Sequence, residues 1–452
     1  MSLDGILSGL AGALPTVAAV VVTLAILVVL VLIHEFGHFV VARRFGVKVH
    51  EFGIGLPPRA RILGRDRETV YTLNWLPLGG FVRLEGEDGG DRSDPRSFAS
   101  QSLRRRVAIL AAGVTMNLVL AVVILTLVTA YADPSITLRF GGAQPGTMAA
   151  ALDLRAGDVV EAIDGRRFSY FDQEDPTAAL AGNTGQSVTL TVRHADGTVE
   201  DRTVVPDPGG GLRIGLVQEG SPAAAAGLVA GDVILAVDDG PVSFLGRGDA
   251  SAYLRAHAGQ LVTLTVLRAD GTTVEMPATL RPPEDVTPER GALGVGFDAG
   301  SVTVTPGAPV QRELRVAVEK GLARTVQALG LVLGAVGTLI GSAVTDPTQG
   351  PPGVAGPVGI VFAVGSLLQS YPPVFLLWVA GLLSANLALI NILPFPPLDG
   401  GRIAVAVIQS AVGNRISASV ERLAYLTGFA VLMGLLAWVT IFDVLRGARF
   451  VP

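Results

Sequence analysis

Cysteine is absent from the 452 residues, and histidine occurs only five times. The absence of cysteine excludes disulfides, cysteine-ligated zinc and a cysteine nucleophile, so any metal site must use histidines and carboxylates. Charged residues make up only 16% of the chain, against about a quarter in ordinary globular domains, while half of the residues are apolar. The net charge of −5 gives no basic footprint for nucleic acid. These counts indicate a membrane protein with soluble inserts.

Four uncharged apolar runs are candidates to cross a bilayer, which takes about 20 residues of helix. They cover residues 16–33 with an apolar continuation to Ala42, 107–132, 376–393 and 423–441. The first run has no basic leader and ends in His-Glu instead of a small-residue cleavage site. We therefore expect it to be a span and not a cleaved signal peptide.

Arginines next to the first two runs predict the orientation. Arg43 and Arg44 follow the first run, and three arginines at 104–106 precede the second. Because positive charge favours the cytoplasmic side, the connector between these runs is expected in the cytoplasm. The long polar stretch at 133–319 is then expected outside the cytoplasm.

A repeat with an offset of 74 residues occupies this polar stretch. Its copies begin at Ala143, with AQPGTMAAALDLRAGDVVEAIDG, and at Val217, with VQEGSPAAAAGLVAGDVILAVDDG. Downstream, GQSVTLTVRHADGT from Gly185 matches GQLVTLTVLRADGT from Gly259. The alternating VTLTV runs and their D-G turns predict strands joined by hairpins.

Each copy resembles a PDZ domain, over residues 135–208 and 209–300. A short apolar strand flanked by glycine is expected after each, at 212–216 and 293–297. The resemblance implies a β/α fold in which such a strand and its loop capture a peptide C-terminus by strand addition. An equally weighted alternative is that both copies are spacers or steric filters that bind nothing.

The sequence HEFGH carries the chemistry of the first span. His34 and His38 lie at i and i+4, on one face of a helix, so both imidazoles can reach a single metal ion. Glu35 lies beside them, where it can take a proton from an activated water. Ionisable groups are costly in membrane helices, which favours a functional interpretation. The alternative is chance, or two histidines that cap a helix end.

Catalytic zinc usually has three protein ligands and one open position, so a third ligand is needed. Asp399 ends the third apolar run, where a carboxylate requires a cationic partner. Its alternative role is a helix N-cap. His50 lies beyond the basic helix end and is a poor candidate. His194 and His257, at matching places in the two repeats, are expected to be ordinary surface or packing residues.

HEFGH, the PDZ-like repeats and NILPFPPLDGG at 391–401 together resemble the site-2 metalloproteases of the bacterial regulator-of-sigma-E protease type, over nearly the whole chain. The resemblance implies Zn²⁺ ligated by His34, His38 and Asp399, with Glu35 as the catalytic base. The positions that hold substrate in this family correspond to Asn391, Pro394 and Pro396. A Gly-Pro-rich element of the family is matched at 356–360.

The connector reads as short strands punctuated by glycine and proline, FGIGLPP at 52–58 and YTLNWLPLGGF at 71–81. The family folds this region as a hairpin that dips toward the active site. Because a helical peptide bond is shielded, a strand edge that holds the substrate extended would help cleavage. Gly53 and Gly55 are therefore expected at the substrate site. The alternative is a plain cytoplasmic hairpin.

The expected fold is an α-helical polytopic membrane protein with about four transmembrane helices and two inserted extracytoplasmic PDZ-like β/α domains. Residues 329–344 are also apolar, but one extra crossing would reverse the third span. We therefore expect 314–344 to form amphipathic or surface-lying helices, with six spans as the alternative if 354–368 also crosses. Four parts are expected. They are an N-terminal transmembrane catalytic part at 1–134, the two PDZ-like domains at 135–208 and 209–300, and a part at 301–452 with the amphipathic helices and the C-terminal transmembrane segments.

The expected function is that of a zinc metalloendopeptidase in the inner or plasma membrane. It would cut single-span membrane proteins within the membrane, after a first cut by another protease, as in release of an anti-sigma factor. Clearance of signal-peptide remnants is the second enzymatic alternative. A membrane-anchored PDZ scaffold without proteolysis is the alternative from another class. No nucleic-acid partner is expected.

Overall fold

The computed structural model of the chain contains two compact units, Met1–Ala132 together with Arg312–Pro452, and Asp133–Gln311. The structure describes residues 3–87, 93–141, 149, 152–176, 179–180, 186–205, 211–238, 240–242, 253–287, 290–297, 303–348, 350–412 and 418–447. Ala143, Gly185 and the predicted domain limits at Pro208, Gly209 and Gly300 lie outside these residues.

Helices make up most of the first unit, and one short helix with described bounds belongs to the second. The helices with described bounds are α1 (Leu3–Arg44), α2 (Leu103–Tyr131), α3 (Pro222–Ala225), α4 (Leu314–Thr345), α5 (Pro357–Ser370), α6 (Val374–Ile392), α7 (Asp399–Ala411) and α8 (Ala418–Gly447). Two 3₁₀ turns lie at Phe98–Ser100 and Pro283–Asp285.

Five of the described helices are long and apolar enough to cross a membrane, one more than the sequence predicted. They contain the segments Pro15–Arg44, Leu103–Tyr131, Leu314–Thr345, Val374–Ile392 and Ser419–Arg446. The additional one is α4, which is a single continuous helix and not several short ones. It continues because residues 314–345 contain no proline, and no charge follows Arg324.

Small residues bring α4 against α2. Gly321 lies so close to the backbone of Thr126 that a side chain there would collide with it. About two turns further along α4, Ala328 shares a buried cluster with Ala121 of α2. Rising numbers on α4 therefore meet falling numbers on α2, so the two helices are antiparallel. Small-residue contacts of this kind are the usual way for helices to pack inside membranes.

The same pattern places α6 antiparallel to α2. Gly381 packs on Leu125, and the Ser384 hydroxyl donates to the main-chain oxygen of Asn117 at 2.7 Å. Both α4 and α6 thus run opposite to α2, which is the central helix of this unit.

A twisted sheet lies between α1 and α2 in sequence. It consists of β1 (Val49–Arg65) and β2 (Val70–Leu84), which contain the predicted strands. Both strands fold back on themselves. Segment 49–54 pairs with 80–84 on one side and with 70–73 on the other. Segment 61–65 pairs with the far side of 70–73. The segment 80–84, called here the inner edge, has no strand partner on its second side among the described strands.

The inner edge lies along α1. A side chain at Gly80 would collide with Leu32, and the N–H of Val82 donates to Glu35. Val82 and Phe39 belong to one buried cluster that also contains side chains of α2. This packing fixes the edge of the sheet beside the HEFGH turn.

The described strands of the second unit form two six-stranded sheets. One has the order β14-β3-β4-β6-β7 with β5 on β3, and the other has the order β12-β11-β9-β8-β13 with β10 on β9. The strands are β3 (Pro134–Arg139), β4 (Val159–Ile163), β5 (Phe168–Ser169), β6 (Val188–Arg193), β7 (Val199–Val204), β8 (Leu212–Val217), β9 (Val233–Val237), β10 (Gly240–Pro241), β11 (Leu261–Leu267), β12 (Thr273–Thr279), β13 (Val295–Phe297) and β14 (Thr303–Pro309).

Each sheet covers its own apolar core, one centred on Phe140, Leu152 and Leu190 and the other on Ile214 and Leu264. The two apolar strands expected after the repeats, β8 and β13, pair with each other in the second sheet. The strand β14, which lies beyond the predicted end of the second repeat, pairs with β3 in the first sheet.

The aspartate of the AGD element has a different cationic partner in each repeat. Asp158 accepts from the imidazole of His194 at 2.8 Å, and its repeat counterpart Asp232 accepts from Arg268 at 2.8 Å. The offset of 74 residues thus aligns His194 with Arg268 and not with His257, which stacks on Tyr253. The expected match of the two histidines was therefore wrong.

The stability of the first repeat is expected to depend on pH through this pair. The hydrogen bonds to Asp158 and then to Glu200 raise the pKa of His194 above its usual value near 6.5. A raised histidine pKa gives stability that is complete below about pH 6.5 and is lost as pH rises through the folded pKa. Hydrogen exchange of 188–204 should therefore speed up between pH 6 and pH 8 more than the intrinsic rate does.

The second repeat is the internal control, because Arg268 stays charged throughout this range. Exchange of 261–279 should change only by the intrinsic factor. A His194→Arg variant should remove the difference between the repeats. An unchanged pH response of 188–204 in that variant would contradict the assignment.

Candidate metal centre

Three side chains converge at one point in the first unit. His34 and His38 come from adjacent turns of α1, and Asp399 is the first residue of α7, 365 positions from His34. The Nε2 atoms of the two imidazoles are 3.1 Å apart, and Asp399 Oδ2 lies 2.9 Å and 3.2 Å from them. All three side chains are largely buried.

This triangle fits a zinc ion. Tetrahedral zinc with bonds of about 2.0–2.1 Å separates its ligand atoms by about 3.3 Å, close to the three distances observed. Two neutral imidazole nitrogens and one carboxylate oxygen are a donor set that zinc accepts, and three protein ligands leave a fourth position open for chemistry. The residues present therefore fit the group that the sequence predicts.

Three glycines allow the elements around the candidate ligands to approach each other closely. A side chain at Gly113 on α2 would lie 2.5 Å from His38 Nε2 and 2.7 Å from His34 Cε1, so only glycine lets α2 reach the rings. At the start of α7, side chains at Gly400 and Gly401 would collide with the backbone of the preceding loop. The two glycines of LDGG thus let that loop fold back over the helix end that carries Asp399.

Glu35 is held beside the triangle by the sheet. Its Oε2 accepts the N–H of Val82, on the inner edge, at 3.1 Å. One candidate ligand atom each of His34, Glu35 and His38 lies within 4.8 Å of the others. Glu35, His38 and Asp399 line a cavity of about 190 Å³. A carboxylate, a candidate metal position and an open cavity are thus adjacent.

Sequence reasoning missed an ion pair in this cavity. Arg402, one turn after Asp399, donates to Glu87 Oε1 at 2.6 Å, while Glu87 Oε2 accepts the N–H of Leu84. The pair joins α7 to the end of the inner edge. Arg402 directly follows the LDGG motif, and this position was the available signal.

The sequence analysis also missed Gly113 and Asn117. They lie one helical turn apart on α2, and both face the imidazoles. The signal was a single amide in an otherwise apolar span, since polar side chains in such helices are costly.

The remaining predicted residues lie elsewhere. Asn391 and Pro394 lie where α6 ends, Pro396 packs against Gly428 of α8, and none of these three has a described contact with the ligand triangle. Gly53 is paired on both sides, with Phe81 and with Thr72, so its backbone is not at a free edge. Gly55 lies in β1, and His50 Nε2 lies 2.8 Å from Glu85 Oε2. His194 and His257 belong to the second unit.

Comparison with known proteins decides the family. The model of peptidase family M50 matches residues 22–435, which include all four residues of the site. The chain belongs to peptidase family M50, the site-2 proteases.

Relatives of this M50 protease align over almost their whole length. The regulator of sigma-E protease RseP of Salmonella typhimurium is 28% identical over 92% of this chain and 95% of its own. Protease RseP of Yersinia pestis is 29% identical over 95% of this chain and 98% of its own. A Neisseria meningitidis protein that its name assigns to the zinc metalloproteases is 30% identical over 93% and 97%.

The chain is therefore a zinc metalloprotease, as predicted, and a multi-pass membrane protein of a family that carries out intramembrane proteolysis.

Proposed function

We propose that this M50 protease hydrolyses peptide bonds within the transmembrane segment of single-span membrane proteins, with zinc ligated by His34, His38 and Asp399 and with Glu35 as base. The observation that supports this most is the convergence of two Nε2 atoms and one carboxylate oxygen within 3.2 Å, beside a further carboxylate. Buried ionisable groups in apolar helices are retained for function.

Each protein group has a defined task. Bound at the triangle, zinc supplies polarisation of the scissile carbonyl and a lowered pKa for the attacking water. The N–H of Val82 engages Glu35 Oε2, which leaves Oε1 to take the proton of that water. Glu35 then returns the proton to the leaving amine. The carboxylate of Asp399 would offset the positive charge of the metal ion, which would otherwise lie desolvated between two imidazoles.

The inner edge is the surface that holds the substrate extended. It lies beside Glu35 and has no strand on its outer side among the described strands. An unwound substrate can add to it through its remaining main-chain groups, since the N–H groups of Val82 and Leu84 already donate to Glu35 and Glu87. Gly53 and Gly55 lie in β1, next to the inner edge, and let the strands of the sheet pack tightly. Asn391, in the last turn of α6, and Pro394 and Pro396, in the loop between α6 and α7, are proposed to contact the substrate.

The depth of the site follows from α1. His34 lies nine residues before Arg43, roughly 14 Å along the helix from the cytoplasmic end. We place the scissile bond in the cytoplasmic half of the substrate's span. The PDZ-like repeats follow the other end of α2 and are proposed to be extracytoplasmic, where they exclude substrates with large outer domains.

The extra apolar helix is compatible with this orientation. Since α4 and α6 both run opposite to α2, both run inward if α2 runs outward. The chain between them must return, and α5 spans about 21 Å, short of the roughly 30 Å of a hydrocarbon core. We propose that α4 crosses or enters the membrane and that α5 is a partial return.

The substrate class follows from the relatives' names and the proposed filter. Proteases named for regulation of sigma-E favour release of an anti-sigma factor over clearance of signal-peptide remnants. A scaffold without proteolysis is disfavoured because Glu35 and all three candidate ligands are present and converge.

A reporter substrate in two forms tests the proposal. One form carries a folded outer domain and the other a short outer stub, each with or without a Gly pair in the cytoplasmic half of the span. We expect cleavage of the stub form only, faster with the Gly pair because glycine weakens the helix by about 1 kcal/mol per residue. Mass spectrometry of the products locates the cut.

The control is Glu35→Gln protein, which should leave both forms intact. Equal cleavage of the two forms would contradict the filter. A cut in the outer half of the span would contradict the depth and the orientation.

A further inference from the structure

A buried amide lies behind one of the proposed ligands. Asn117 on α2 is 0% exposed, and its side-chain Nδ2 is 3.4 Å from His34 Nδ1, on the side of the ring opposite Nε2. Its Oδ1 is buried without a hydrogen-bond partner in the described part of the chain. An orphaned buried oxygen beside an imidazole nitrogen requires an explanation, because such groups are costly.

The ligand geometry decides which atom carries a proton. Since the Nε2 atoms face Asp399, a neutral His34 that ligates through Nε2 carries its hydrogen on Nδ1. That N–H is a donor and needs an acceptor. In the structure it faces the amide nitrogen of Asn117, which is a donor too, while the amide oxygen has no partner among the described residues.

A half-turn of the amide gives the His34 N–H and the amide oxygen to each other as partners, and it moves the amide nitrogen to the position that the oxygen leaves. The oxygen and nitrogen of an Asn amide have nearly the same shape, and their assignment rests on the hydrogen-bond network. With the amide turned, Oδ1 accepts the N–H of His34. His38 already has the matching arrangement, because its Nδ1 lies 2.8 Å from the main-chain oxygen of Ile109.

We propose that Asn117 is a positioning residue for the metal centre, whose side-chain oxygen accepts the Nδ1–H of His34 and directs Nε2 to the metal. The proposal rests on the proposed zinc ligands. It makes α2 the support of both rings, through a main-chain oxygen for His38 and a side chain for His34. Only the second support can be removed by mutation.

Packing alone does not account for the amide. The site lies in an apolar helix, where leucine would fill similar space without desolvating a polar group. The main chain of Asn117 has a separate structural contact, since its carbonyl oxygen accepts from Ser384 on α6. The two functions can therefore be separated by experiment.

The test measures metal affinity in full-length protein by competition with a zinc chelator. Removing an outer partner of a ligand typically costs 10- to 100-fold in metal affinity. We expect Asn117→Leu to bind zinc 10- to 100-fold more weakly than wild type. Asn117→Asp, which keeps the acceptor, should bind at least as tightly as wild type. The visible absorption of the cobalt-loaded protein should change in Asn117→Leu and persist in Asn117→Asp.

Two controls separate the possible failures. Ser384→Ala removes the α2–α6 hydrogen bond but leaves the Asn117 side chain, and should keep wild-type affinity. His34→Ala should lose zinc in the same titration, and if it does not, the ligand set fails independently of Asn117.

Wild-type affinity in folded Asn117→Leu protein would overturn the proposal. If that variant does not fold, Asn117→Asp decides alone, because a packing role predicts weakened binding when a charge is buried there. Equal losses in Asn117→Leu, Asn117→Asp and Ser384→Ala would likewise assign Asn117 to packing.

Discussion

Replacement of Glu35 by glutamine is expected to stop proteolysis while zinc stays bound. The carboxylate lies beside the ligand triangle and is not one of its three corners, so the amide removes the proton acceptor without removing a ligand. General acid–base catalysis typically contributes about 10²- to 10⁴-fold, and that is the expected loss in kcat. The bound zinc, measured by metal analysis of purified protein, should remain stoichiometric.

The three ligand variants should behave in the opposite way. His34→Ala, His38→Ala and Asp399→Ala each leave two protein ligands, so both zinc and activity should be lost. Stoichiometric zinc and normal cleavage in folded Asp399→Ala protein would remove that residue from the site. Zinc loss in Glu35→Gln would instead make Glu35 a ligand.

The metal centre could be predicted from sequence because its parts have local signatures. His34 and His38 share a helix face, and a carboxylate at the end of an apolar run, Asp399, requires a cation. The family resemblance joined these parts across 365 positions. Their convergence in space is a property of helix packing, which the sequence pattern does not contain.

The supports of the site could not be predicted in the same way. Gly113 and Asn117 are a glycine and an amide in an apolar run, and each is used only because α1 lies against that face of α2. The pair of Arg402 and Glu87 joins segments that are 315 positions apart. Such partners become visible only when the packing is known.

Element lengths and distant pairings were also beyond the sequence argument. The topology argued against a single extra crossing at 314–344 and led to the expectation of surface-lying helices, but the local sequence lacks any residue that would end one long helix. The strand β14 joins the first sheet by pairing with β3, about 165 residues earlier. Nonlocal pairing of this kind has no local signal.

The second large effect is expected from the smallest side-chain change at the site, Gly113→Ala. The new methyl group would lie 2.5 Å from His38 Nε2 and 2.7 Å from carbon atoms of both rings. Each ring is fixed by a contact to α2 and by the ligand triangle, so a ring that moves away from the methyl group gives up one of these contacts. The imidazoles should therefore be displaced from the positions that ligate zinc.

Overpacking of this kind typically costs about 1–3 kcal/mol, which corresponds to roughly 5- to 150-fold in zinc affinity if it falls on the metal site. The helix itself should not suffer, since alanine is favoured over glycine in a helix by about 1 kcal/mol. We thus expect folded protein that binds zinc weakly and cleaves the reporter substrate slowly.

The matched control is Gly334→Ala on α4, where a methyl group would meet open space. This variant should keep zinc affinity and activity, and it corrects for the effect of a glycine replacement in an apolar helix. Zinc affinity is compared by chelator competition, and folding by the thermal transition of each variant. If Gly113→Ala and Gly334→Ala bind zinc equally well, α2 does not touch the rings as closely as the structure has it, and the positioning proposed for Asn117 on the same face of α2 loses its geometric basis.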